Sequence, residues 1–247
     1  MTRRRFYVPR GSIREDVAAL PSDQAHHLRD VLRMGSGDVV EIFDGAGRGY
    51  TGEVQLHGPE VLVRRLRTIV LPESPFRLTL AAALIKPSKF EWMLEKATEL
   101  GVDEIIPLRT RNCGIQIPED KIEARLERWR RILTESAKQC RRFAAPSLRK
   151  PESFPDLLQA EDWSGCAKVL FDEEAVELWK SSFVSDRMVL CIGLEGGWDP
   201  GEIEQARKAA CKIFGLGPRV LRAETAAIAA VSIIRHQIDL LGSESPG

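Results

Sequence analysis

The sequence predicts an α/β chain in two parts: a small β-barrel over residues 1–70, a linker over 71–75, and a larger domain with a doubly wound parallel sheet over 76–247. Three observations carry this. Short alternating runs separated by glycine-rich breaks fill the first seventy residues. Two prolines and a serine in Leu71-Pro-Glu-Ser-Pro75 mark a boundary. From Phe76 onward, apolar strand-length runs alternate with helical periodicity.

In the first part, Ser22–Leu32 is the one helical stretch, with Ser22 placed to cap it. Val39–Phe43 alternates, Asp44-Gly45-Ala46-Gly47-Arg48-Gly49 breaks the run, and Tyr50–Leu56 and Val61–Leu66 follow, a hairpin signal. No helix follows that break, so it is not a phosphate loop. In the second part, Leu78–Ile85 is an unbroken apolar run suited to a strand covered on both faces. Ser88–Leu100 is helical and closes at Gly101, a glycine in the C-terminal capping position. Ile105–Leu108 is a strand and Lys121–Arg142 a long amphipathic helix. Val169–Phe171 and Met188–Gly193 are strands; Glu173–Ser182, Pro200–Cys211 and Glu224–Leu241 are helices.

Charge is informative only in its distribution. The 36 basic and 36 acidic residues cancel, which taken alone argues against a polyanionic partner. Residues 107–150, however, hold 12 basic and 5 acidic side chains, and residues 151–185 hold 2 and 8. Four arginines and no acid lie in the first ten residues. These basic stretches carry aromatics, a pattern suited to RNA, although an ion-paired, solvated helix face explains Arg128–Arg142 equally well. Five cysteines without a C-x-x-C pair and four histidines without ligand spacing give no disulfide framework and no metal site. No apolar run is long enough to span a membrane, and MTRRRFYVPR lacks the apolar core of a secretory leader, so the expected compartment is the cytoplasm.

The sharpest local feature is Cys191-Ile-Gly-Leu-Glu-Gly-Gly-Trp-Asp-Pro200-Gly-Glu202. A strand runs into three glycines, then Asp199 as N-cap, Pro200 in the first helical position and Glu202 three residues after the cap open a helix. Glycines at the carboxyl end of a strand let backbone approach a ligand where open α/β sheets bind them. The turn matches neither G-x-G-x-x-G nor the Walker loop, so NAD and ATP are unsupported. A second turn, Leu216-Gly217-Pro218-Arg219, leads through Leu221-Arg222-Ala223-Glu224-Thr225-Ala226 into an alanine-rich helix.

With these residues in view the chain resembles the bacterial ribosomal RNA methyltransferases that act on uracil N3 of small-subunit (16S) RNA, the RsmE-like branch of the SPOUT superfamily. The resemblance rests on Arg4–Val8, His27–Arg33, Phe43-Asp44-Gly45, Lys96–Val102, Ala137–Cys140 with Arg142, Ile192-Gly193 with Glu195-Gly196-Gly197, and Leu221-Arg222 with Glu224-Thr225-Ala226, across nearly the whole chain. Leu194 stands where the family usually has proline, Ala223 where it has threonine, and Asn112 where it has serine.

The resemblance implies a PUA-like barrel followed by a trefoil-knotted α/β domain, working as a homodimer on small-subunit RNA or the 30S particle without metal or membrane. It implies S-adenosyl-L-methionine as cofactor, held by Ile192, Gly193, Leu194, Glu195, Gly196, Gly197, Leu216, Gly217, Leu221, Arg222, Thr225 and Ala226. Arg222 would stabilise negative charge on the uracil oxygens; Glu224 is either the proton acceptor or a structural cap. Arg3, Arg4, Arg5, Arg10, Arg33, Arg109, Arg111 and Arg142 are the expected RNA contacts. Rival readings are methylation of a ribose 2'-hydroxyl or another base, and a non-catalytic ribosome-assembly factor.

Overall fold

The structure, a computed structural model, describes residues 4–70, 76–113, 115–180 and 185–243. Arg3 and the linker 71–75 lie outside the described residues. The chain divides into two units, Met1–Glu73 with Thr134–Ala145, and Ser74–Leu133 with Pro146–Gly247.

The first unit is a mixed sheet curved into a half-barrel. Its strands are β1 (Arg5–Tyr7), β2 (Ile13–Arg14), β3 (Val17–Ala19), β4 (Val39–Phe43), β5 (Gly49–His57) and β6 (Glu60–Ile69), in the order β1-β4-β5-β6-β3-β2. β1 pairs with β4 in parallel and the other pairs are antiparallel. Alternation turns Val40, Ile42, Val54, Val61 and Val63 inward onto Phe6, Val8 and Leu28. The hairpin expected at Asp44–Gly49 forms because Asp44 Oδ1 accepts the N–H groups of Ala46 (2.8 Å) and Arg48 (3.0 Å). The register of β5 against β6 slips between Thr51 and Glu53, at Gly52, where a Cβ would sit 2.8 Å from the Arg64 carbonyl oxygen.

The helix expected over Ser22–Leu32 is α1 (Ser22–His26) continued by a wider turn over His27–Val31, and Arg33, with φ of 53°, ends it. Ser22 is not its cap: Pro21 holds that position and no side chain caps the end. Residues 134–145 complete this unit. Lys138 Nζ lies 4.0 Å from the Tyr7 ring centroid and the Arg5 guanidinium 4.1 Å from that of Phe143.

The second unit is an all-parallel sheet with helices. In chain order it contains β7 (Arg77–Ala83), α2 (Pro87–Glu99), β8 (Glu104–Arg109), the first part of α3 (Glu119–Gln139), β9 (Ser147–Leu148), β10 (Glu152–Ser153) and α4 (Phe154–Gln159). β11 (Ala167–Phe171), β12 (Arg187–Ile192), α5 (Pro200–Lys208), β13 (Lys212–Phe214) and α6 (Ala223–Ser243) follow. The strand order is β10-β8-β7-β12-β11-β13, with β9 beside β8. Past their first residues β7 and β12 are buried throughout, as strands covered on both faces must be. Gly101, with φ of 87°, ends α2 as expected.

The expected helix over Glu173–Ser182 is absent from its described residues, 173–180. The residues Glu173-Glu174-Ala175 favour a helix, but tertiary contacts override them. Leu178 bridges to Gly215 in parallel, Trp179 packs edge-on against Phe214, and its indole N–H donates to Gln237 Oε1 at 2.8 Å. α3 and α5 end earlier than the pattern suggests because Arg141 (φ 62°) and Ala210 (φ 57°) enter the left-handed region. Among the described residues no helix is long and apolar enough to cross a membrane, and no group of three or more His, Cys, Asp or Glu side chains is arranged to hold a metal.

Candidate active site

The site lies where β11, β12 and β13 end. β12 delivers Ile192 into the glycine turn, and the turn closes on a bond from the Gly197 N–H to the Leu194 carbonyl (3.0 Å). Beneath it, Trp198 donates its indole N–H to the Phe171 carbonyl (3.0 Å) and stacks on Phe154, with centroids 4.5 Å apart. Only glycine fits comfortably at 193, since a Cβ there would lie 3.0 Å from the Trp198 ring. The expected capping box is present: Asp199 Oδ1 accepts from Gly201 N (2.8 Å) and Glu202 Oε2 from Asp199 N (3.0 Å).

Glu202 is 2% exposed and does more than cap. Its Oε1 accepts the Arg111 N–H (2.9 Å), tying the segment after β8 to the start of α5. The Arg111 guanidinium meets Asp199 Oδ1 at 3.1 Å and Asn112 Nδ2 donates to the Gly197 carbonyl at 3.4 Å. Asn112 therefore braces the turn.

Around this turn opens a cleft lined by fourteen residues. Eight of the residues expected to hold a cofactor line it: Ile192, Gly193, Leu194, Gly197, Leu216, Gly217, Leu221 and Ala226. Phe171, Trp198 and Ala223 add apolar surface, while Asp172, Glu173 and Arg219 add charge. Ala223 falls within the Leu221–Ala226 stretch expected to wrap the cofactor; the other five were not expected from the sequence. Phe171-Asp172-Glu173 follows a recognised strand end, the signal that could have flagged it.

Glu195, Gly196, Arg222 and Thr225 do not line this cleft. Arg222 and Thr225 are exposed beside the start of α6. Glu195 and Gly196 line a second cleft with Leu84, Ile85, Lys86, Lys89 and Ile115, and Leu194 lines both clefts. Lys89, on the first turn of α2, was not singled out by the sequence. Its ammonium lies 2.8 Å from Glu195 Oε1 and 3.1 Å from Glu224 Oε1. The bond from Lys89 holds the Glu195 carboxyl below its ordinary range, helped by the positive charges of Arg222 and Lys86, and the two carboxylates raise Lys89 in return. Glu224 is thus held by an ion pair; its Oε2 is buried with no hydrogen-bond partner.

The expected RNA contacts fall into two sets. In the first unit Arg4, Arg10 and Arg33 are exposed, and Arg142 is half-buried. Arg5 is already engaged by Glu41 Oε2 (2.8 Å), the Arg141 carbonyl and the Phe143 ring. In the second unit Arg109 and Arg111 are exposed at and just after the end of β8. Many cations of α3 are paired: Arg128 with Glu91 at 2.6 Å, Arg130 with Glu123 at 2.8 Å, and Lys138 with Glu135 at 2.6 Å.

A parallel α/β unit with a glycine-walled cleft at its strand ends, joined to a half-barrel, is the arrangement of an RNA methyltransferase. The family described as RNA methyltransferase domain matches residues 72–235, and that described as RNA methyltransferase PUA domain matches residues 20–60. A ribosomal RNA small subunit methyltransferase E from Synechocystis is 33% identical over 95% of this chain and 78% of its own length. One from Bacillus subtilis is 29% identical over 90% and 91%. The crystal structure of one from Neisseria gonorrhoeae, bound to S-adenosyl methionine, superposes with a TM-score of 0.75 at 26% identity, covering 95% of this chain and 98% of that one. The chain belongs to the ribosomal RNA small subunit methyltransferase E family.

Proposed function

We propose that the chain transfers a methyl group from S-adenosyl-L-methionine to N3 of a uridine in small-subunit ribosomal RNA. The observation that carries this reading is the convergence of Ile192–Leu194, Gly197, Leu216, Gly217, Leu221 and Ala226 on one cleft, from segments that are separate in sequence. The residues fit the cofactor: Phe171, Ile192, Leu216 and Leu221 offer apolar surface to an adenine, and Asp172 and Glu173 offer negative charge to a cation. Bare backbone at Gly193 and Gly217 permits close approach.

When bound, the cofactor supplies an electrophilic methyl on a cationic sulfur. As the N3–carbon bond forms, the carbon–sulfur bond breaks, the sulfur becomes a neutral thioether, and the N3 proton must leave. The glycine turn, braced by Trp198, Asn112 and Glu202, fixes the approach; positioning of this kind can contribute several kcal/mol, up to about 7–11 in ideal cases. Arg222 is proposed to stabilise negative charge on the uracil oxygens, and Glu224 to accept the proton. Glu224→Gln tests the latter, since a wild-type rate would remove Glu224 from that role. Arg4, Arg10, Arg33, Arg109, Arg111 and Arg142 are proposed to meet RNA phosphates, with residues 1–70 holding RNA and 76–247 carrying the chemistry.

The placement of β12 between β7 and β11 supports a knotted path after β12. We further propose that the protein works in the cytoplasm as a homodimer, acting on small-subunit RNA or the 30S particle. Incubation with labelled S-adenosyl-L-methionine and unmodified small subunits, then mapping of the modified nucleoside, is the test: N3-methyluridine is expected, and a methylated ribose or no product would refute the reading.

A further inference from the structure

Two of the cleft's three charged residues, Asp172 and Glu173, begin a strap over residues 172–179 that leaves the end of β11 and returns along the end of β13. Backbone bonds hold it there: the Asp172 N–H donates to the Phe214 carbonyl (3.0 Å), the Gly215 N–H to the Glu177 carbonyl (2.8 Å) and the Trp179 N–H to the Gly215 carbonyl (3.1 Å). Gly215 admits this path, because a Cβ there would meet the Ala175 carbonyl oxygen at 3.1 Å and Leu178 Cδ2 at 3.2 Å. The strap ends on Trp179, whose ring lies 6.1 Å from that of Phe171 and 5.3 Å from that of Phe214, centroid to centroid. Its indole N–H donates to Gln237 Oε1 at 2.8 Å, on α6, the helix whose first turn brings Ala223 and Ala226 to the same cleft.

What the strap carries to the cleft is negative charge. Asp172 is half-buried, and a Cβ on Gly197 would lie 3.9 Å from Glu173 Oε1, so the Glu173 carboxylate stands beside the glycine turn. Arg219 lines the cleft with the opposite sign. The cofactor and the molecule left after transfer share every group except the methyl, and differ in charge: one is a sulfonium cation, the other a neutral thioether. Apolar walls and backbone groups hold the two alike. A carboxylate attracts only the cation, and the attraction falls with distance and with solvent screening. On a loose loop that attraction would be offset by the entropy of ordering the chain; an anchored strap is ordered beforehand.

Resting on the methyltransferase reading above, we propose that the Trp179–Gln237 bond is a latch that holds Asp172 and Glu173 at the cleft, and that these carboxylates bias the cleft toward the cationic cofactor over its demethylated product. Trp179 and Gln237 are positioning residues, acting through the strap and not on the cofactor. The same bias favours exchange of the neutral product for fresh cofactor after each transfer.

The test measures by calorimetry the affinities of wild type and variants for S-adenosyl-L-methionine and for S-adenosyl-L-homocysteine, with circular dichroism confirming that each variant is folded. The readout is the ratio of the two affinities, which a merely structural strap would leave alone because it would weaken both ligands alike. Asp172→Asn combined with Glu173→Gln is expected to lower the ratio roughly tenfold, the scale of a charge attraction over a few ångströms in a largely solvated cleft. Trp179→Phe, which keeps a ring but no N–H, and Gln237→Leu should each lower it roughly fivefold, the worth of one hydrogen bond. Joining the two latch substitutions should lower it no further than either alone, since the same bond is lost in each. Ratios within about twofold of wild type, in the carboxylate variant or in both latch variants, overturn the proposal, as do additive losses in the joined variant. Protein that shows the expected ratios but transfers no methyl group to unmodified small subunits overturns the methyltransferase reading and leaves the latch standing.

Discussion

Replacing Glu202 by glutamine asks whether the glycine turn is held from behind. The carboxylate is 2% exposed and accepts two backbone N–H groups, from Asp199 at 3.0 Å and Arg111 at 2.9 Å. A hydrogen bond to a charged group contributes about 1.5–3 kcal/mol, and a buried donor left unpaired costs about 1–3 kcal/mol. Glutamine keeps one acceptor oxygen but turns an N–H₂ toward the other N–H. Losing one charge-assisted bond gives an expected destabilisation of about 3 kcal/mol; alanine, which loses both, should exceed it. For a chain of this size that corresponds to a fall in Tm of roughly 6–12 °C. Urea unfolding followed by circular dichroism gives the free energy, with the m-value expected to stay constant. Because Asp199 follows the cleft-lining Trp198 directly, cofactor affinity should fall in the same variant. A loss below about 0.5 kcal/mol for both Glu202→Gln and Glu202→Ala would refute the claim that Glu202 staples the segment after β8 to the turn.

Other expectations follow from single features. Gly193→Ala places a methyl 3.0 Å from the Trp198 ring on a cleft-lining residue, so S-adenosyl-L-methionine affinity should fall about tenfold by calorimetry, with a stability loss of roughly 1–3 kcal/mol. Burial pushes the Cys211 thiol up to about 12 and raises Cys191 as well, from an ordinary value of 9.0. The folded state thus favours neutral thiols that the unfolded chain would ionise, a stabilisation complete below pH 9 and lost as pH rises through 12. Alkaline unfolding, titrated by circular dichroism, should accordingly shift to higher pH in Cys211→Ala, and native-state alkylation at pH 8.5 should spare both thiols. Reversing Arg4, Arg10 and Arg33 to glutamate should weaken binding to small subunits and flatten the slope of log affinity against log salt, by about 0.7–0.9 for each phosphate no longer neutralised. An unchanged slope would remove these residues from the RNA-facing set.

Local signals were legible wherever a residue's own conformational preference decides the outcome. The capping box at Asp199 and Glu202, the closure of α2 at Gly101, the hairpin turned by Asp44 and the apolar β7 and β12 all follow from side chains acting on their immediate neighbours. The helix expected from Glu173 failed because the preference of a few residues was weaker than the packing of Trp179 against Phe214 and its bond to Gln237. The cap expected of Ser22 failed because Pro21 occupies that position. Lys89 was invisible for a related reason. A lysine in a first helical turn is unremarkable until the fold brings it between Glu195 and Glu224, over a hundred residues away.

By itself the sequence determined the two-part α/β organisation, the elements with strong periodicity, and the turns whose glycines line the cleft, because those depend on short-range backbone freedom and on burial patterns written in consecutive residues. Tertiary structure alone decided which distant pieces meet. It brought Phe171-Asp172-Glu173 and Leu216-Gly217 to one cleft, fastened Arg111 to Glu202, and carried residues 134–145 into the first unit. These are long-range contacts whose partners no local pattern names, since side-chain packing and ion pairing act between neighbours in space regardless of their separation along the chain.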